Sequence, residues 1–167
     1  MTVLYAQPYN PDATGFHFSD IDEYCEELEQ ARDCFGLPVE EFEIIYIDGD
    51  DPELFTICGI HQGNLELWFE IEDLDDTQKA ALFFLCTQLG YHAKDAVAKV
   101  DEVMLTKASL HEAAAELFDE VYLPSIPEPA RYYIDYQLFA KDCLCSGDLQ
   151  DYNFAGQEWT CLNPNQL

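Results

Sequence analysis

Apolar positions recur along the chain with either period two or period 3.6, and turn residues separate the runs. Residues 2–9 read as a strand, Gln7-Pro-Tyr-Asn-Pro-Asp12 as a turn, and residues 14–18 as a second short strand. Ser19 followed by Asp22 has the spacing of a capping box. Ile21, Tyr24, Cys25, Leu28 and Phe35 then repeat at helical intervals, which predicts a helix over 20–35 stopped by Gly36 and Pro38. Phe42, Ile44, Tyr46 and Asp48 alternate with Glu43, Ile45 and Ile47, which predicts a largely buried strand closing a β-β-α-β unit over 1–50.

The turn-rich acidic stretch Asp48-Gly-Asp-Asp-Pro-Glu53 is read as the first boundary. Beyond it the strongest periodicity lies in 76–89, where Ala80, Ala81, Phe83, Phe84 and Leu85 occupy most of the helix surface. Such a helix belongs at the centre of a packed unit, here a mainly helical one over 51–99. Residues 101–106 read as a strand, and Ser109 with Glu112 forms a second capping box. Leu110, Ala113, Ala114, Leu117, Phe118 and Val121 follow on one helical face. Pro124, Pro127 and Pro129 form a stiff connector before a helix over 130–143, which Ser146-Gly147 ends, and a last strand is expected over 158–162. The expected fold class is α+β, as an elongated chain of three small units over 1–50, 51–99 and 100–167. No internal repeat or low-complexity tract is present.

Charge changes this ordinary picture. The chain holds 34 Asp and Glu against 7 Lys and Arg, a formal net charge of −27 in 167 residues. Residues 1–78 contain 21 of the carboxylates and a single basic residue, Arg32, and 33–78 contain no Lys or Arg at all. Self-repulsion of this size opposes compaction. Disorder is the usual outcome, but a hydrophobic content of 49% and an aromatic content of 14% supply a core. The charge argues against direct binding of nucleic acid or of an anionic membrane. No stretch approaches the roughly 20 apolar residues that span a bilayer, and no leader pattern opens the chain, which predicts a cytosolic, cytoplasmic protein. Seven cysteines, an odd number with several at helical core positions, predict reduced packing thiols rather than a disulfide framework.

Clustered carboxylates invite a calcium loop, whose pattern needs oxygen ligands at alternate positions, Gly at the sixth and Glu at the twelfth. Starting from Asp48 the fifth and sixth positions are Pro52 and Glu53; starting from Asp73 the sixth is Gln78 and the twelfth Phe84. Neither run fits. Cys143-x-Cys145 with Cys161 and His111 lacks the two-residue gap of zinc knuckles. His17, His61, His92 and His111 and the cysteines show no local nucleophile signature, and there is no Gly-rich phosphate loop. The expectation is no enzyme, no metal and no cofactor.

The carboxylate surface itself remains. An ordinary surface interleaves both signs. Here Asp20, Asp22, Glu23, Glu26, Glu27, Glu29, Asp33, Glu40, Glu41, Glu43, Asp48, Asp50, Asp51, Glu53, Glu66, Glu70, Glu72, Asp73, Asp75 and Asp76 form a nearly unbroken acidic series. Duplex DNA carries one charge per ~1.7 Å of axis, so the net charge is equivalent to roughly 46 Å of duplex, or about 13 base pairs. Carboxylates held on rigid helices could thus occupy the DNA channel of a nucleic-acid enzyme. A solvated face or adaptation to salt is the competing reading, and a decoy for another basic partner, such as a CRISPR effector, a nucleoid protein or a transcription regulator, is a third.

Read in order, Tyr5-Ala6, Tyr9-Asn10, Gly15 and Phe18 before an acidic helix, then Tyr133-Ile134-Asp135-Tyr136-Gln137, Ala140-Lys141-Asp142 and Ser146-Gly147, resemble the ArdA family of antirestriction proteins of mobile genetic elements. The resemblance covers almost the whole length, the last motif being the specific one. His17 is a departure, since the family pattern has Trp there. The resemblance implies a chain that pairs into a curved homodimer and acts as a DNA mimic. Its partner would be a type I restriction-modification enzyme, whose specificity and methyltransferase subunits it occupies as an inhibitor. It also implies that 127–139 is the antirestriction motif at the dimer contact, with Tyr133, Ile134, Tyr136 and Phe139 as interface positions. Charge agrees, because between 130 and 139 only Asp135 is acidic and Arg131 offsets it.

Overall fold

The computed structural model describes residues 2–167 and shows a mixed α+β chain with two small antiparallel sheets. Its contacts gather into two compact units: residues up to Asp75 with 86–97, and 76–85 with 98–167. The division falls inside one helix, α4 (Asp76–Thr87). The boundary expected after residue 50 lies within the first unit, for a reason described below.

In the first unit, β1 (Val3–Pro8) is the central strand, paired antiparallel with β2 (Phe16–Phe18) and β3 (Phe42–Asp48). Gly15 lets the chain enter β2 close against β1, where a Cβ would collide with the Ala6 carbonyl oxygen. β3 is buried on one face only. Phe42 and Ile44 point into the core while Ile45 and Ile47 are exposed, as expected when a sheet is covered on a single side. This corrects the expectation of a largely buried strand.

Helix α1 spans Ile21–Gln30, shorter than expected, and its N-cap is Asp20 rather than Ser19. The Asp20 carboxylate accepts from Glu23 N at 2.8 Å, and Glu23 Oε2 accepts from Ser19 N at 2.8 Å. The helix packs Tyr24 against Phe18 (4.9 Å between rings) and Phe16 (5.8 Å). It ends early because Asp33 supplies a competing turn. Asp33 Oδ1 accepts from Phe35 N and Leu37 N, both at 2.9 Å, and Gly36 takes φ +81°, a left-handed geometry suited to glycine. Phe35 consequently stands outside the helix and is exposed.

A second aromatic knot joins β3 to the following helices. Trp68 on α3 (Leu65–Glu72) is fully buried and meets Phe55 of α2 (Pro52–Ile57) at 5.1 Å and Tyr46 of β3 at 5.9 Å, both edge to face. Tyr46 Oη also accepts from Asp51 N at 3.1 Å. These contacts cross the acidic turn at 48–53, which is why it is a bend within a unit. α5 (Ala93–Val97) completes the first unit.

In the second unit the middle of α4 is buried on every side from Ala80 to Leu85, as its periodicity predicts. Phe83 packs on Phe154 (4.9 Å) and Phe84 on Tyr152 (5.1 Å), and Tyr152 Oη donates to the Ala80 carbonyl at 2.9 Å. The sheet has the order β4-β6-β5, from β4 (Leu105–Thr106), β5 (Gln150–Phe154) and β6 (Gln157–Cys161). The expected strand at 101–106 shrinks to β4, preceded by a single 3₁₀ turn over Val100–Glu102. Buried Asn163 secures that segment, accepting from Met104 N (2.8 Å) and donating to Glu102 O (2.9 Å). α6 (Leu110–Val121) carries the Ser109/Glu112 capping box as read, and its Ala113 and Ala114 pack with Ala140 and Cys143 of α8 (Tyr136–Ser146).

The helix expected over 130–143 is two helices, α7 (Glu128–Arg131) and α8. Asp135 breaks the run: its carboxylate accepts from Leu138 N at 3.0 Å and caps α8, an N-cap role for which Asp is favoured. Gly147, at φ +77°, ends α8 as expected.

Burial pushes the phenols of Tyr24, Tyr46 and Tyr152 above the ordinary tyrosine value. A folded-state value above the unfolded value of about 10 stabilises the fold below pH 10 and is lost as pH rises past it. We therefore expect alkaline unfolding above about pH 10. Phenolate absorbance of the buried tyrosines should rise together with loss of helical circular dichroism; ionisation of all ten tyrosines near pH 10 with the fold intact would contradict this packing.

Candidate acidic surface and apolar contact face

The first unit carries 21 carboxylates against Arg32 and Lys94, the second 13 against five basic residues. Of the acidic residues picked out from the sequence, all are exposed except Asp33, Asp51 and Glu72, which are half-buried. α1 is the densest element. Asp22, Glu23, Glu26, Glu27 and Glu29 all face solvent, and Asp22/Glu26 and Glu23/Glu27 are neighbours one turn apart. Like charges at that spacing oppose the helix by about 0.2–0.5 kcal/mol per pair. Carboxylates in the first turn suit the helix dipole, but Glu26, Glu27 and Glu29 crowd its negative end. Arg32 partly answers this by donating from Nη1 to the Glu29 and Ala31 carbonyls at 2.9 and 2.7 Å.

Some of these carboxylates serve the fold. Glu72 accepts from Thr2 N at 3.1 Å and from the Thr2 hydroxyl, while Asp33 organises the 33–37 turn and Asp20 caps α1. Composition cannot separate these from Glu26, Glu27, Glu40, Glu41, Glu43, Asp48, Asp50, Glu53, Glu66, Glu70, Asp73 and Asp76, whose side chains lie on the exposed surface.

The four residues singled out for an interface divide in a similar way. Tyr136 and Phe139 belong to the second unit's own packing: Phe118 lies 5.4 Å from the Tyr136 ring and 4.9 Å from that of Phe139, and Tyr122 lies 5.8 Å from Phe139. Tyr136 Oη donates to Asp119 Oδ1 at 2.5 Å, and that bond holds its phenol above the usual value. Ile134 is half-buried. Tyr133 is 88% exposed, and so is its neighbour Tyr132 at 86%, which the sequence reading did not select. The break before Asp135 is what turns both rings outward, and a continuous helix would have hidden that signal. Val121, Tyr122 and Leu138 are further exposed apolar side chains of this unit.

A cavity of about 420 Å³ in the first unit is lined by Cys58, Glu66, Glu70, His92 and Lys94 among others. Hydrogen bonding with the Cys86 thiol, together with burial, pushes the Cys58 thiol up, so Cys58 offers no thiolate there. Burial raises the thiols of Cys143 and Cys161 too. Among the described residues no three His, Cys, Asp or Glu side chains are grouped to hold a metal ion, and no helix is long and apolar enough to cross a membrane. Comparison with protein-family models, curated proteins and solved structures finds no match.

Proposed function

We propose that this chain is an antirestriction protein: a non-enzymatic acidic DNA mimic that competes with DNA for type I restriction-modification enzymes and works in the cytoplasm as a homodimer. The observation that carries the reading is the excess of exposed carboxylates fixed on a folded first unit that has only two basic residues. The charges of α1 sit on a capped helix anchored by Tyr24, so the field is preorganised rather than trailing on a disordered tail. A DNA-binding channel built to neutralise phosphates meets the same sign of charge on this surface. The ordered resemblance to ArdA proteins, especially Tyr133-Ile134-Asp135-Tyr136-Gln137, names the type I enzymes as the target class.

Immobilised protein should recover the specificity and methyltransferase subunits from a lysate that contains a type I system. Recovery of a nucleoid protein, a regulator or a CRISPR effector instead would move the decoy to another partner. A chain merely adapted to salt would recover none of them.

Dimerisation through the 127–139 segment is part of the proposal. Association of two polyanions needs an apolar contact where charge is low, and Tyr132 and Tyr133 supply exposed rings beside Arg131. Tyr133→Asp places a carboxylate at that contact in each copy. Because the side chain is almost fully exposed, the variant should stay folded by circular dichroism and become monomeric by light scattering. A variant that remains dimeric puts the interface elsewhere.

A further inference from the structure

The acidic surface of the first unit carries an apolar feature that electrostatic mimicry does not use. Phe35 is 76% exposed and Leu37 61%, both on the turn that follows α1, and Tyr9 is 66% exposed on the loop between β1 and β2. Single exposed apolar residues are ordinary. These three stand on two loops that are bonded to each other: Cys34 N donates to Asp12 O at 2.9 Å, and Ala13 and Asp33 form a β-bridge.

The turn is also held rather than loose. Asp33 Oδ1 takes the amides of Phe35 and Leu37, Gly36 N donates to Asp33 O at 2.9 Å, Asp33 N donates to Leu37 O at 2.9 Å, and Arg32 bridges to Pro38. Here an aromatic ring is carried on a braced backbone, in a unit that holds 21 carboxylates against two basic residues, Arg32 and Lys94. A braced backbone leaves only the side chain's own rotamers to be ordered on docking. Its complement is an aromatic-lined apolar pocket with a cationic border, since the carboxylates exclude an acidic partner. Enzymes that modify a base in duplex DNA present that combination: the target base leaves the stack and is held between aromatic or apolar side chains, while cations grip the flanking phosphates.

We propose that Phe35 stands in for the extrahelical base, entering the base pocket of a DNA-modifying enzyme while exposed carboxylates of the same unit take the place of the phosphates. The proposal rests on the DNA-mimic reading and adds to it a stacking contact independent of the summed charge. Phenylalanine has the flat face of a base but no hydrogen-bonding edge, so the recognition is by stacking.

The test uses the full chain to displace a labelled duplex from a type I methyltransferase. Phe35→Ala and Phe35→Leu should each raise the half-displacement concentration roughly tenfold, while Phe35→Trp, which keeps a stacking face, stays within about threefold of wild type. The salt dependence should be the same for all, because no charge is altered, and their thermal melts should match wild type, because the ring buries little. Displacement by Phe35→Leu equal to wild type would reduce the contact to unspecific apolar surface and overturn the proposal, as would an unchanged Phe35→Ala. If wild type itself fails to displace the duplex, the mimicry reading falls and takes this inference with it; if wild type displaces and Phe35→Ala does so equally, only the base-pocket assignment falls.

Discussion

Replacing Asp22, Glu26, Glu27 and Glu29 together by the corresponding amides should raise the concentration needed to displace duplex DNA about thirtyfold. An exposed charge is worth about 1 kcal/mol or less, and four on one helix act through a summed field, so a loss of about 2 kcal/mol is expected. Glu26→Gln alone should change inhibition little. The four are chosen because their side chains lie on the exposed faces of α1, whereas Asp20 caps the helix and Asp33 braces the next turn. The variant also removes the Asp22/Glu26 repulsion and unloads the negative end of the helix dipole, so its thermal midpoint should hold or rise. A single substitution that abolished inhibition in a folded protein would point instead to a discrete site.

Trp68→Ala should cost the first unit about 3–5 kcal/mol, a large share of the usual 5–15 kcal/mol of a whole domain. Trp68 is fully buried, and its loss opens the knot that joins Tyr46, Phe55 and α3 across the acidic turn. The urea midpoint followed by circular dichroism should fall sharply. A fall worth less than about 1 kcal/mol would mean that β3, α2 and α3 do not share one core. Added salt should raise the midpoints of wild type and variant alike, because screening relieves the self-repulsion of both.

The elements that could be read from the sequence are those where one strong local signal acts alone. The all-round apolar segment Ala80–Leu85, the Ser109/Glu112 box and the Gly147 stop are of this kind. Three of the differences share another cause, a carboxylate that takes a backbone amide. Asp33 ends α1 early, Asp135 splits the 127–146 segment, and Asp20 displaces Ser19 as the cap. In so acidic a chain every Asp looks alike until its partner is known. β5 escaped notice because Gln150, Asp151 and Asn153 are weak strand formers. Its hairpin turn, Ala155-Gly156 with φ +50° and +73°, carries an alanine where Asn or Asp is the familiar signal.

For the candidate site, composition sufficed to locate the charge in the first half of the chain. It could not assign Glu72 to Thr2 or Asp33 to its turn, since both depend on segments brought together by folding. The exposed pair Tyr132 and Tyr133 was legible only in part, because a regular helical spacing over 130–143 favours Tyr133, Tyr136 and Phe139 on one side. After the break at Asp135, Tyr136 and Phe139 pack half-buried against Phe118, while the two neighbouring tyrosines stand outside.

Competition for a DNA channel is tested most directly by titrating the wild-type chain against a labelled duplex bound to a type I methyltransferase at two salt concentrations. A DNA mimic should displace the duplex fully, with a half-displacement concentration that rises as salt screens the opposed charges. Absence of displacement, or displacement indifferent to salt, would contradict it.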